Sequence, residues 1–315
     1  MVNRPLRIRI EGASSPFPTD KLAAGVQLLR AAGHDVDDSH AGPRGRHAFL
    51  NGSDSERAAS LQDALSSDVD VIWCARGGYG LTRIVDELFP RGWPAQQPLV
   101  VGFSDVTALF ARCALEGQLH RCVHGPLGTS LSSEPEHSLQ RFFDVVAAHA
   151  DGLAVGEHLD VALQVLHNQH NAHVLSGPLF AANLTVLAAM CGTASMPSLE
   201  GHIVVVEEVG ERPYRLDRVL TQLLRADAFK GVAAIVLGHF TNCTEPTSSS
   251  SAPAIRDAAP GPIDVVIERL SALSVPLLMG LPAGHEAPNF ALPLGGRVVL
   301  EIGRERSTLA RMRWR

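Results

Sequence analysis

Two runs in the first half, Val69–Ala75 and Pro98–Phe103, constrain the fold more than any other feature of the chain. Apart from Asp70, the first is apolar throughout, and the second carries no polar side chain at all. A strand that faces water on one side alternates apolar and polar residues; a continuous apolar run belongs to a strand covered on both faces. Each run ends in a turn that leads toward a helical segment. Arg76-Gly77-Gly78-Tyr79-Gly80 and Leu81–Leu88 follow the first, and Ser104 with a helix over Asp105–Leu115 follows the second. Upstream, Arg7–Ile10 reads as a strand, Thr19–Ala32 as a helix stopped by Gly33, and Ser55–Ser66 as a helix. This strand–helix rhythm predicts an α/β domain built on an open, mostly parallel sheet with helices on both faces.

The rhythm breaks after about residue 130. A helix over Ser138–Ala148 runs into a polar, His-rich stretch, so we place one domain over 1–150, a linker over 151–172 and a second domain over 173–315. A chain of 315 residues has room for two cores. The second half shows strands over His202–Glu207, Ala233–Leu237 and Val298–Ile302. It also has a helix from Pro213 with Leu216, Val219, Leu220 and Leu223 on one face, and many Gly and Pro turns. That pattern predicts a smaller α+β domain with curved or barrel-like strands. Ser248–Pro253 reads as a solvated Ser-rich loop.

Several function classes fall away. The formal net charge of −6 provides no basic face for nucleic acid or an anionic membrane. No apolar run is long enough to span a bilayer. Met1–Pro18 holds three arginines and lacks the apolar centre of a signal peptide. The five cysteines are odd in number and form no C-x-x-C pair, the pattern of reduced thiols in a cytoplasmic protein. His167, His170 and His173 recur every three residues, but Asn168, Gln169 and Asn171 between them favour a turn, and no carboxylate or thiolate completes a set. No metal and no cofactor is therefore expected.

Four segments have chemistry to offer. Ser104 sits where an apolar strand meets a helix, at the carboxyl end of the sheet, where unpaired N–H groups of the helix start face a ligand. The same serine could simply cap the helix. The Arg76–Gly80 loop permits close backbone approach, yet lacks the Lys-Ser/Thr of a phosphate loop. Glu207 and Glu208 end an apolar strand, one pointing to each face, and strand parity alone does not choose between them. His285 stands in a Gly/Pro-rich loop and is one of 14 histidines.

Taken together, these segments resemble the LD-carboxypeptidase family of serine peptidases. The resemblance runs in order through Asn51-Gly52-Ser53-Asp54, Arg76-Gly77-Gly78-Tyr79-Gly80, Gly102-Phe103-Ser104-Asp105, Gly177-Pro178-Leu179, Glu207-Glu208-Val209-Gly210-Glu211, Pro213-Tyr214-Arg215-Leu216-Asp217-Arg218 and Gly284-His285. It implies a triad with Ser104 as nucleophile, Glu207 as orienting carboxylate and His285 as general base. An N-terminal Rossmann-like domain, a barrel-like C-terminal domain, a homodimer and a murein peptide substrate ending in a D-amino acid are also implied. Backbone N–H groups of Asp105 and Gly78 are expected at the oxyanion, with Arg76 and Tyr79 on the substrate; an ion pair bracing the loop is the other role open to Arg76. Two departures, Ala181-Ala182 and the long Ser-rich loop, would reshape the pocket. A hydrolase of peptide–nucleotide toxins, as in the microcin-immunity branch, and a non-catalytic binding module are the alternatives.

Overall fold

The computed structural model describes residues 4–42, 48–89, 92–152, 161–168, 173–245, 260–303 and 309–314. Strands β1 (Arg7–Glu11), β2 (Asp35–Asp37), β3 (Val71–Cys74), β4 (Leu99–Gly102) and β5 (Cys122–His124) form a parallel sheet. Both apolar runs lie inside it: every residue of β3 and β4 is buried. Helices α1 (Thr19–Ala31), α2 (Asp54–Ser66), α3 (Thr107–Leu115) and α4 (Glu136–Ala150) accompany this sheet. Gly33 follows α1 at φ 91°, a left-handed exit that costs glycine least. A reciprocal cap starts α2, with Ser53 Oγ accepting from Glu56 N and Glu56 accepting from Ser53 N.

The second half closes a barrel. Its strands are β6 (Val161–His167), β7 (Val174–Asn183), β8 (Ile203–Val209), β9 (Ala234–Thr241) and β10 (Leu277–Met279). After β10 comes β11 (Leu292–Pro293), which leaves the barrel and pairs antiparallel with β5 of the first sheet. Then β12 (Arg297–Ile302) and β13 (Leu309–Trp314) complete the ring in the order β10-β6-β13-β12-β7-β8-β9. Helices α5 (Leu184–Met190), α6 (Pro213–Arg225) and α7 (Pro262–Leu270) belong to this half. In α6, Leu216, Leu220 and Leu223 are buried as the spacing predicts, each side chain worth about 1.5–3 kcal/mol on burial, while Val219 is half-buried.

Three readings change. The stretch taken as a linker contains β6, a barrel strand whose first residues alternate between buried and exposed. Leu81–Leu88 forms two single 3₁₀ turns, Leu81–Arg83 and Val85–Glu87, because a segment this short does not sustain an α-helix. Ala181 and Ala182 are buried in β7 opposite Val205 and Val206, so they pack the barrel and do not line the cleft. The Ser-rich loop and His170 lie outside the described residues.

Candidate active site

The serine is placed by the way β4 ends. Gly102 has no room for a side chain: a Cβ there would stand 2.9 Å from Val106 and 3.1 Å from Cys74. Phe103 continues extended, and Ser104 then turns left-handed at φ 67°. That conformation costs a non-glycine residue roughly 1–2 kcal/mol and points the side chain out of the turn. Ser104 does not cap the helix; its Oγ lies 3.0 Å from His285 Nε2. The imidazole Nδ1 is 2.6 Å from Glu207 Oε2, so three side chains from β4, the loop after β10 and β8 form one hydrogen-bonded line. Phe103 packs edge-on against the His285 ring at 4.7 Å.

Glu207 continues the regular pairing of β8 with β7, opposite Asn183. On its other side the register with β9 slips: Val206 faces Leu237 and Glu208 faces Phe240, so the extra residue lies in β9. Glu207 is fully buried. Gly284 makes room for it: at φ 128°, a Cβ would sit 2.9 Å from Glu207 Oε2. The neighbouring Glu208 is buried as well. Glu208 is 2% exposed and accepts hydrogen bonds from Asn183 Nδ2 (2.9 Å), Thr185 N (2.8 Å) and Val209 N (2.8 Å), so it ties β8 to the start of α5. Burial raises its pKa, and these hydrogen bonds oppose the rise. Its partners come from a distant segment, so the sequence around residue 208 held no sign of the role.

The glycine loop lies against the serine. A Cβ on Gly77 would meet Ser104 Cβ at 2.9 Å and Oγ at 3.0 Å, with Asp105 N at 3.4 Å. Gly78 has φ 99° and its missing Cβ would collide with Ser15. Groups that the sequence did not single out for this task hold the loop in place. Buried Arg57 donates to Ala13 O (2.5 Å) and Gly80 O (3.0 Å), and pairs with Asp54 at 2.5 Å. Asp105 is buried and accepts from Leu81 N at 2.9 Å; its pKa is raised by burial. The Arg76 guanidinium donates to the Pro16 carbonyl and pairs with no carboxylate among the described residues. Tyr79 is 44% exposed beside Phe49 and does not line the cleft.

The cleft itself holds about 510 Å³ and is lined by Arg76, Gly77, Gly78, Ser104 and His285 together with Ser130, Glu134, Glu286 and Asn289. His124, packed against Phe103, is fully buried, and neither ring nitrogen finds a partner among the described residues; burial, with the nearby His285, pushes its pKa down to about 3. Among the described residues no group of three His, Cys, Asp or Glu side chains is placed to hold a metal, and no helix is long and apolar enough to cross a membrane. A strained serine, an imidazole and a buried carboxylate in line are a constellation for nucleophilic acyl transfer.

Comparison with known proteins gives a consistent answer. Residues 8–125 match the family model of the LD-carboxypeptidase N-terminal domain, and residues 176–300 match that of the C-terminal domain. A putative carboxypeptidase of Synechocystis sp. is 34% identical over 283 residues, covering 89% of this chain and 86% of the relative. The murein tetrapeptide carboxypeptidase of Pseudomonas aeruginosa is 32% identical over 305 residues, covering 95% and 94%. The crystal structure of muramoyltetrapeptide carboxypeptidase from Oxalobacter formigenes superposes with a TM-score of 0.73 at 24% identity, over 98% of both chains, which speaks for the shared fold. With both domain models matched in order and relatives above 30% identity along nearly the whole length, the chain belongs to the LD-carboxypeptidase family.

Proposed function

We propose that this protein is a serine-type carboxypeptidase that cleaves the amide bond between an L-centre and a C-terminal D-amino acid in murein peptides. The observation that carries the reading is the line Ser104–His285–Glu207, with distances of 3.0 and 2.6 Å, opening on a cleft that holds the Arg76 guanidinium. Ser104 Oγ attacks the scissile carbonyl as its proton passes to His285 Nε2. Glu207 accepts from Nδ1–H, fixes the tautomer and stabilises the imidazolium. The oxyanion is assigned to the N–H groups of Asp105, the residue after the serine, and of Gly78, on the cleft lining. His285 then protonates the leaving amine, the D-amino acid departs, and water hydrolyses the acyl-enzyme with His285 again as base. Arg76, whose only partner among the described residues is a neutral carbonyl, is available to the terminal carboxylate. Tyr79 would meet the peptide outside the cleft. A cytoplasmic site of action and a homodimer belong to the same reading.

Mass spectrometry of murein tetrapeptide after incubation is the direct test. Loss of the terminal D-residue alone is expected, and amidating the peptide's C-terminus should sharply lower kcat/KM. Equal rates on free and amidated peptides would sink the carboxypeptidase assignment. Because the microcin C7 self-immunity protein of Escherichia coli is 22% identical over 81% of this chain, a peptide–nucleotide amide belongs in the same substrate panel. A serine-directed electrophile that fails to label Ser104 would favour a binding module instead.

A further inference from the structure

The proposed triad is split between the two halves of the molecule: Ser104 follows β4 of the first sheet, whereas Glu207 lies on β8 and His285 after β10. The 3.0 Å contact between Ser104 Oγ and His285 Nε2 therefore depends on how the halves are registered against each other. A reacting group misplaced by about 1 Å costs on the order of 10²-fold in rate. Thr107 stands at that seam. It opens α3, just after the turn Ser104–Val106, and its main-chain N–H donates to the carbonyls of Ser104 and Asp105. Its hydroxyl accepts from the main-chain N–H of Asn183 at 2.9 Å. Both residues are buried, and Thr107 does not line the cleft.

Asn183 ends β7 and is paired with Glu207 in the parallel ladder of β7 and β8. One hydrogen bond thus joins the strand neighbour of Glu207 to the turn that carries Ser104. Besides the Ser104–His285 contact, it is the only hydrogen bond among the described residues that joins Ser104–Leu115 to the second half. The halves meet elsewhere through β11 on β5, Ser195 on Asp86 and Asn289 N on Glu134 Oε2, but those ties involve no residue of the Ser104 turn. The Asn183 side chain is engaged with Glu208 and with Val186 N, so the tie to α3 runs through its main chain, which the ladder holds. Valine would fill the space of Thr107; what it lacks is the acceptor.

We propose that Thr107 is a positioning residue for the reaction: its hydroxyl registers the Ser104 turn against β7 and β8, so that the serine meets a base held by the other half. The inference rests on the serine mechanism of the carboxypeptidase reading and adds a residue that touches neither the cleft nor a triad side chain. Losing the acceptor leaves the buried Asn183 N–H without a partner, a cost relieved when the halves part locally and water reaches it. Such a shift lengthens the Ser104–His285 contact. It leaves the His285–Glu207 bond, which lies within one half, as it is.

The experiment compares Thr107→Val and Thr107→Ala, which lack the acceptor, with Thr107→Ser, which keeps it. Each is assayed, well below its melting temperature, for kcat and KM on murein tetrapeptide and for the rate at which a fluorophosphonate labels Ser104. T107V and T107A should lose about 10–100-fold in kcat and in labelling rate, with KM within about threefold. T107S should stay within about threefold of wild type in all three. A purely structural hydroxyl predicts lower melting temperatures with kcat and labelling rate unchanged, and that result overturns the inference; so does a T107S as impaired as T107V. Two acceptor-free variants of different size keep the question decidable when one fails to fold. If wild type is labelled but cleaves no murein peptide, the carboxypeptidase reading fails and the labelling rates still decide on Thr107. If wild type is neither labelled nor active, both fall.

Discussion

Replacing Glu207 with Gln while leaving Glu208 in place isolates one charge. Glu207 is fully buried and its Oε2 lies 2.6 Å from His285 Nδ1, so Gln preserves size and an acceptor oxygen and removes only the negative charge. In the proposed mechanism the imidazole becomes cationic in the transition state, with its charge spread over the ring about 4 Å from the carboxylate. At an effective dielectric near 20, a unit pair at that distance is worth about 4 kcal/mol. Converted at about 1.4 kcal/mol per tenfold, this is a fall in kcat on the order of 10³. The control is Glu208→Gln. Its oxygens receive three N–H donors, and an amide would turn an NH₂ toward at least one of them. That mismatch should cost about 1–3 kcal/mol of stability while kcat of the folded protein stays within about threefold. Steady-state kinetics and urea titrations on both variants give the four numbers needed. A Glu207→Gln enzyme within tenfold of wild type would refute the electrostatic role; a catalytically dead but stable Glu208→Gln would show that the carboxylates have been assigned the wrong way round.

Two further outcomes follow from the geometry. Ser104→Ala and Ser104→Gly should both lose on the order of 10³-fold or more in kcat, but at φ 67° the glycine variant avoids the left-handed penalty and should be the more stable by up to about 1 kcal/mol; a melting comparison in which alanine is the more stable would contradict the strained turn. His124 has its pKa pushed down from 6.5 to about 3, so across that window the unfolded chain binds a proton that the folded chain refuses. Stability should therefore fall as pH falls from about 6.5, by up to about 1.4 kcal/mol per pH unit from this group, and His124→Phe should flatten the slope. Urea midpoints at several pH values check this, and parallel slopes for the two proteins would rule it out.

Ser104 and His285, which the proposed mechanism uses, could be singled out in the sequence by their local settings. A glycine before a serine at a strand end, and a glycine before a histidine in a rigid loop, are positions where the backbone itself is constrained. The choice between Glu207 and Glu208 was not legible from parity, since both are buried and the partners that distinguish them, His285 for one and Asn183 and Thr185 for the other, come from distant segments. Strand β6 escaped for a similar reason: as a half-exposed barrel strand it carries Gln164 and His167 and sits among polar residues. Glu134 had no motif at all, and only the approach of Asn289 from the other half gives it a place.

The two-residue strand β11 has a consequence for the order in which the protein matures. It covers the outer edge of β5, which would otherwise present unpaired backbone groups at the margin of the first sheet. The segment that supplies it also carries His285, seven residues earlier. On the ribosome the first sheet can assemble with Ser104 already in its turn, but that serine has neither a base beside it nor a finished sheet edge until the last stretch of chain emerges. On the proposed mechanism, edge closure and the pairing of Ser104 with its base are thus a single late event in synthesis.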